Sequence, residues 1–151
     1  MAKSKKIEQD TIQNAIGPFS NRMKSKEVKL GDTVFVLEAL KASLVSYIGN
    51  ESMKVQDGRY RQDQHILRFL YIRFGIKDIV NAHDIDGAKL EFEKEKCTID
   101  GIDYETYGND MIDALPPEVT TMLFVEIEAL THLTDGEIKK LNFTMPSIGK
   151  G

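Results

Sequence analysis

The longest apolar pattern in the chain runs from Leu115 to Phe143, "LPPEVTTMLFVEIEALTHLTDGEIKKLNF". Val119, Met122, Leu123, Ile127, Leu130 and Leu133 recur at helical spacing and draw one stripe along a helix. Phe124 and Val125 widen that stripe beyond a single contact face. Two prolines open it, at the helical turn where a missing N–H costs nothing. Thr134 and Glu137 then form a T-x-x-E capping box, with Ile138 and Leu141 as the inner side of a short last helix. The stripe either covers the chain's own core or holds an apolar segment of a partner. Val119, Leu123, Phe124, Ile127 and Leu130 are the partner-binding candidates under the second reading.

Upstream the patterns are shorter. "KIEQDTIQNAI" spaces Ile7, Ile12 and Ile16 as a weak helix that Gly17-Pro18 ends. "EVKLGDTVFVLEAL" reads as two strands about Gly31-Asp32. "LKASLVSYI" places Leu40, Leu44, Val45 and Ile48 on one side of a helix, with Gly49-Asn50 as its C-cap. "NESMKVQDG" reads as a polar loop. Helix is expected to resume at Arg59 and to stop at Gly75, with Ile66, Leu67, Leu70, Tyr71 and Phe74 facing inward. From Ile76 to Glu105 the chain reads as extended, with hairpin turns at Asp86-Gly87 and Asp100-Gly101. These elements predict an α+β fold: a mainly helical single domain with one or two small β-hairpins. Residues 1–17 form a basic arm or weak helix, 18–143 the globular body and 144–151 a disordered tail.

Composition adds polarity of charge to this picture. Net charge over the 151 residues is only −4, but Asp78 to Glu137 holds sixteen Asp or Glu against Lys89, Lys94 and Lys96. Met1 to Leu30 carries seven Lys or Arg against three acids. Phosphate binding needs concentrated cations, so nucleic acid is not expected as a partner of the acidic half. Cys97 is alone, which excludes an intrachain disulfide and fits a cytosolic protein. The polar start "MAKSKKIEQD" lacks a signal-peptide core, and no run of about 18 apolar residues marks a membrane span.

Candidate chemistry is sparse. His65, His83 and His132 lie far apart and show no zinc-ligand spacing. With Gly87 as the sixth position of a calcium loop, Asp84, Asp86 and Glu93 fall at ligand positions three, five and twelve. The first position is Ala82, which offers no side-chain oxygen, so no metal and no cofactor is expected. Asp100, Asp103 and Glu105 cluster on a turn-rich segment where carboxylates are solvated, and no nucleophile or phosphate-loop motif occurs. The chain is not read as an enzyme.

The order of segments carries a resemblance. "VKLGDTVFVLEAL" precedes a helix, "LRFLYIRFGI" ends a second one, and "VNAHDIDGAKLEF" supplies an Asp-x-Asp-Gly turn. Leu-Pro-Pro-Glu-Val then opens the long helix, and a Leu-Thr-x-x-Glu segment follows at Leu133. From Glu27 to Phe143 this order resembles the tail assembly chaperones of long-tailed bacteriophages, with "KEKCTIDGIDYETYGND" as an insertion that departs from them. The resemblance implies a non-catalytic protein of the host cytoplasm. It would coat the apolar tape measure protein, help recruit tail tube protein and leave before the virion is complete, with self-association as a further contact. It also implies a longer product made by a −1 ribosomal frameshift, and Gly149-Lys150 is a dipeptide that a G-GGA-AAG slippery heptamer would encode. The alternative is a structural component of the virion, such as a tail, baseplate or neck protein. The broken calcium loop alone speaks for a small enzyme or metal protein.

Overall fold

Apolar residues alternating at Phe35 and Leu37 build the centre of the first sheet in the computed structural model, which describes residues 24–140. Strand β1 (Ser25–Leu30) turns at Gly31, whose φ of 59° is left-handed, into β2 (Thr33–Glu38). β2 is the middle strand, paired antiparallel with β1 on one side and β5 (Ile76–Val80) on the other, with an irregularity between Val36 and Leu37. Phe35 and Leu37 are buried on one face of it.

Helix α1 (Ala42–Glu51) buries Leu44 and Ile48. Strands β3 (Met53–Gln56) and β4 (Arg59–Gln62) form a second antiparallel sheet. Helix α2 (Gln64–Gly75) follows and buries Tyr71, Ile72 and Phe74. After β5, strands β6 (Lys94–Ile99) and β7 (Ile102–Tyr107) make a third hairpin across Asp100-Gly101, both in left-handed conformation. Helix α3 (Asn109–Asp113) places Met111 wholly inside. Helix α4 (Pro117–Thr131) and α5 (Asp135–Lys140) complete the described chain. One continuous core joins Leu37, Ile48, Ile72, Met111, Leu123 and Ile127.

The fold is therefore mixed α/β rather than mainly helical: the described residues hold seven strands in three small antiparallel sheets. The departure sits between Met53 and Gln62, expected as a loop running into helix. Asp57 and Gly58 have φ of 53° and 75°, which fits the two-residue hairpin turn that Asp-Gly favours. Val55 stands opposite Tyr60 across it. Helix α2 starts at Gln64 because the Asp63 carboxylate accepts from the backbone N–H of His65 and Ile66. The expected hairpin at Asp86-Gly87 reduces to one bridge between His83 and Lys89. Gly49-Asn50 is no C-cap either, since α1 continues to Glu51 and ends at Ser52 in right-handed conformation.

Other expected elements are present. The capping box is closed in both directions: Thr134 N donates to Glu137 Oε1 at 3.0 Å, and Glu137 N to Thr134 Oγ1 at 3.1 Å. α2 does end at Gly75, and that glycine also lets two helices meet. A Cβ there would stand 2.6–2.8 Å from three side-chain carbons of Ile127 on α4. The basic arm over 1–17, Leu141, Phe143 and the tail over 144–151 with Gly149-Lys150 lie outside the described residues.

Candidate functional site

Helix α4 faces α2, and that packing decides where its stripe goes. Leu123 and Ile127 are wholly buried, and Phe124 is nearly so. The Phe124 ring meets Tyr71 edge-on, with centroids 5.2 Å apart, and the Arg68 guanidinium lies 5.8 Å from its centroid. Val119 and Leu130 are half-buried against the same core. The five candidates thus pack the chain's own interior in this structure. Val125 points the other way and is 55% exposed. At the helix's end, Thr131 Oγ1 accepts from Leu40 N and donates to the Ile127 carbonyl, which satisfies a buried hydroxyl.

Val119 is the candidate that also borders open space. It lines a groove of about 190 Å³ between the β1–β2 turn, β5, the 82–92 segment and the start of α4. The Leu-Pro-Pro sequence supplies one lip through Leu115 and Pro116, with Pro116 extended at ψ 148° before the helix begins. Leu30, Phe35 and Ile79 come from the first sheet and Met111 from α3. The opposite lip is Leu90 and Phe92, half-buried, while Lys89, Glu91 and Glu93 alternate outward and are exposed. That period of two turns Leu90 and Phe92 toward the groove and leaves Lys89, Glu91 and Glu93 in solvent, with Lys89 Nζ 3.6 Å from Glu91 Oε1. The groove is thus mostly apolar within, with charges of both signs along the outer edge of the 89–94 segment.

No protein family, curated protein or solved structure matches this chain.

The polar groups near the groove hold structure. Tyr107 Oη donates to Asp78 Oδ1 and accepts from Ile79 N, both at 3.1 Å, and burial followed by the Asp78 carboxylate pushes its phenol pKa up. Tyr71 Oη lies 3.1 Å from His132 Nε2, and burial raises its pKa as well. His83 lines the groove, and His65 is exposed on the first turn of α2. The calcium-loop carboxylates separate in role. Asp84 Oδ1 accepts from Asp86 N and Ala88 N within its own turn, and Asp86 and Glu93 face solvent. Among the described residues no three His, Cys, Asp or Glu side chains group as a metal site. No helix among them is long and apolar enough to cross a membrane.

A second surface went unread in the sequence. All eight strand residues of the β3–β4 hairpin are exposed, Val55 at 67% and Tyr60 at 76%. Its base is fixed: Asp63 N donates to the Ser52 carbonyl at 2.7 Å, and Gln62 Nε2 to Ser52 Oγ at 3.3 Å. The signal available was Asp57-Gly58 between Val55 and Tyr60. For the groove, the signal was the alternation in "KLEFE" over 89–93.

Proposed function

We propose that this chain is a non-catalytic binding protein of bacteriophage tail assembly, acting in the host cytoplasm as a chaperone of the apolar tape measure protein. The order of segments from Glu27 to Phe143 carries the family reading. The observation that supports a binding role is the groove beside Val119, lined mostly by apolar side chains that include Leu30, Phe35, Leu90 and Phe92. Each aliphatic side chain of a guest segment buried there contributes about 1.5–3 kcal/mol. The acidic body keeps such a complex in solution through its net charge.

The partner surface in this reading is the groove, with Val119 as its representative from α4. Leu123, Phe124 and Ile127 belong to the same core as Phe35 and Met111, which line the groove. Tail tube protein is the second partner, recruited after the tape measure is coated.

Coexpression with the tape measure protein of the same phage tests this. The chain is expected to keep that protein soluble and to copurify with it, and Val119→Asp to lose both while retaining its circular dichroism. A tape measure protein that stays insoluble and unbound overturns the reading. Detection of the chain in purified particles by mass spectrometry would instead favour the structural virion component.

A further inference from the structure

A two-residue turn closes the β1–β2 hairpin, and that fixes which way each backbone group of β1 points. Leu30 and Thr33 flank Gly31-Asp32 and form the closing hydrogen-bonded pair. Alternation then bonds Val28 to Phe35 and Lys26 to Leu37. The pattern continues to Lys24, whose carbonyl accepts from Ala39 N at 3.0 Å. Ser25, Glu27 and Lys29 therefore aim their N–H and C=O groups away from β2. β1 is an end strand of its sheet, and no backbone group among the described residues bonds these outward positions. The opposite end of the sheet is engaged, because Ile79 N on β5 donates to Tyr107 Oη at 3.1 Å. An open edge is a template for a further strand. Side chains alternate with the backbone: Val28 and Leu30 pack on the core, while Ser25, Glu27 and Lys29 stand in solvent. Neither Glu27 nor Lys29 has an ion-pair partner among the described residues. Lys26, the charge on the inner face that would repel a neighbour, is neutralised by Glu126 at 2.6 Å.

The charges along this edge are complementary to themselves in one register. For two antiparallel copies about a two-fold axis, outward residues must meet outward residues, so the axis passes through a residue of β1. Centring on Glu27 sets two carboxylates face to face, and centring on Lys26 or Lys29 sets two ammonium groups face to face. Ser25 or Leu30 at the centre leaves most of the strand unpaired. Val28 at the centre sets Glu27 opposite Lys29 of the second copy, and Lys29 opposite its Glu27, on the solvent face. Each such pair exchanges both of its N–H···O=C bonds, and the two Val28 side chains meet on the inner face. We infer that two copies of this chain pair edge to edge through β1, antiparallel about Val28. Their two three-stranded sheets then join into one of six strands. The contact is isologous, so it uses both edges and stops at the dimer. It does not rest on the tape measure reading, since Ser25, Glu27 and Lys29 do not line the groove beside Val119.

Sedimentation velocity of the full chain from micromolar to millimolar concentration tests it. A monomer–dimer equilibrium is expected, with no larger species. Backbone amide exchange at Glu27 and Lys29 should slow as concentration rises. Glu27→Pro removes one outward N–H and leaves the β1–β2 ladder whole, so it is expected to weaken dimerisation about tenfold or more at unchanged circular dichroism. The charge arms stand alone should that proline disturb the strand. Glu27→Lys and Lys29→Glu, both at exposed positions, each bring like charges together and are expected to weaken dimerisation about tenfold. Combining them in one chain restores opposite charges across the axis at the wild-type net charge, and is expected to restore the dimer. A chain still monomeric at millimolar concentration overturns the inference, whether its edge stays bare, pairs within its own chain or takes a foreign extended peptide. Association that the charge reversals leave intact overturns it too. So does a combined variant that fails to dimerise, or growth beyond the dimer.

Discussion

Substituting Gly75 by Ala probes the helix contact on which the core depends. The added Cβ would stand 2.6 Å from Cδ1, 2.7 Å from Cγ2 and 2.8 Å from Cγ1 of Ile127. One flexible tip could swing away, but here three carbons crowd the same point, and two of them are fixed by a β-branched, stiff χ1. Ile127 is wholly buried, so its rotation displaces other core atoms. Overpacking of this kind costs about 1–3 kcal/mol. Lower chain entropy on leaving glycine returns at most about 0.5–1 kcal/mol, less at the last residue of a helix. A net loss of about 1–2 kcal/mol is expected, read from urea unfolding at constant m. Ile127→Ala alone should cost about 2–5 kcal/mol through its cavity. In that background the new methyl at position 75 fills vacated space, so the double variant should be about 1–3 kcal/mol more stable than additivity allows. A Gly75→Ala protein as stable as wild type, or two substitutions that add, would refute the close approach of α2 and α4.

Ile127→Asp places an unpaired carboxylate at a wholly buried point and is expected to cost several kcal/mol; unchanged thermal melting would contradict that. The Glu137 carboxylate is held below its ordinary pKa of 4.5, first by the Thr134 backbone N–H and then by Lys24. A depressed carboxyl stabilises the fold above its unfolded pKa and loses that contribution as pH falls through the folded value. The protection of the Thr134 amide relative to a Glu137→Gln variant should therefore be largest at neutral pH and shrink below about pH 4.5; a gap that widens in acid would be the wrong sign. Calcium should not bind with micromolar affinity at Asp84, Asp86 and Glu93, because Ala82 supplies no first-position oxygen and Asp84 already serves its own turn. Calorimetric binding abolished by Asp86→Ala would show otherwise.

Elements carried by local signals were legible. A period of two about Gly31 marked β1 and β2, the 3.6-residue stripe marked α4, and T-x-x-E marked the start of α5. The β3–β4 hairpin was missed because each strand is only four residues long and mostly exposed, so its alternation is too short to mark it; turn chemistry at Asp57-Gly58 and pairing across it decide the structure. The helix read from Arg59 begins five residues later, where Asp63 can cap. At Asp86-Gly87 the same dipeptide failed to extend a ladder, since Leu90 and Phe92 turn into the groove instead. The groove could not be read from any one segment. Its walls come from stretches as far apart as Leu30 and Val119, joined by tertiary packing alone.

The destination of the α4 stripe has a consequence for any binding role. A side chain wholly buried against α2 cannot also present its area to a guest, so Leu123 and Ile127 are spent on the fold itself. Substituting them would weaken binding through unfolding, and loss of binding alone would say nothing about contact. Val119, Leu90 and Phe92 border open space, and the hairpin residues Val55 and Tyr60 are mostly exposed. These are the positions where stability and association separate. A substitution there that abolishes binding at unchanged melting temperature assigns the contact to the groove or the hairpin. Of the stripe's two readings, core or partner face, the structure gives Leu123 and Ile127 to the core, and the packing of α4 against α2 sets its Leu-Pro-Pro entrance at the lip of the groove.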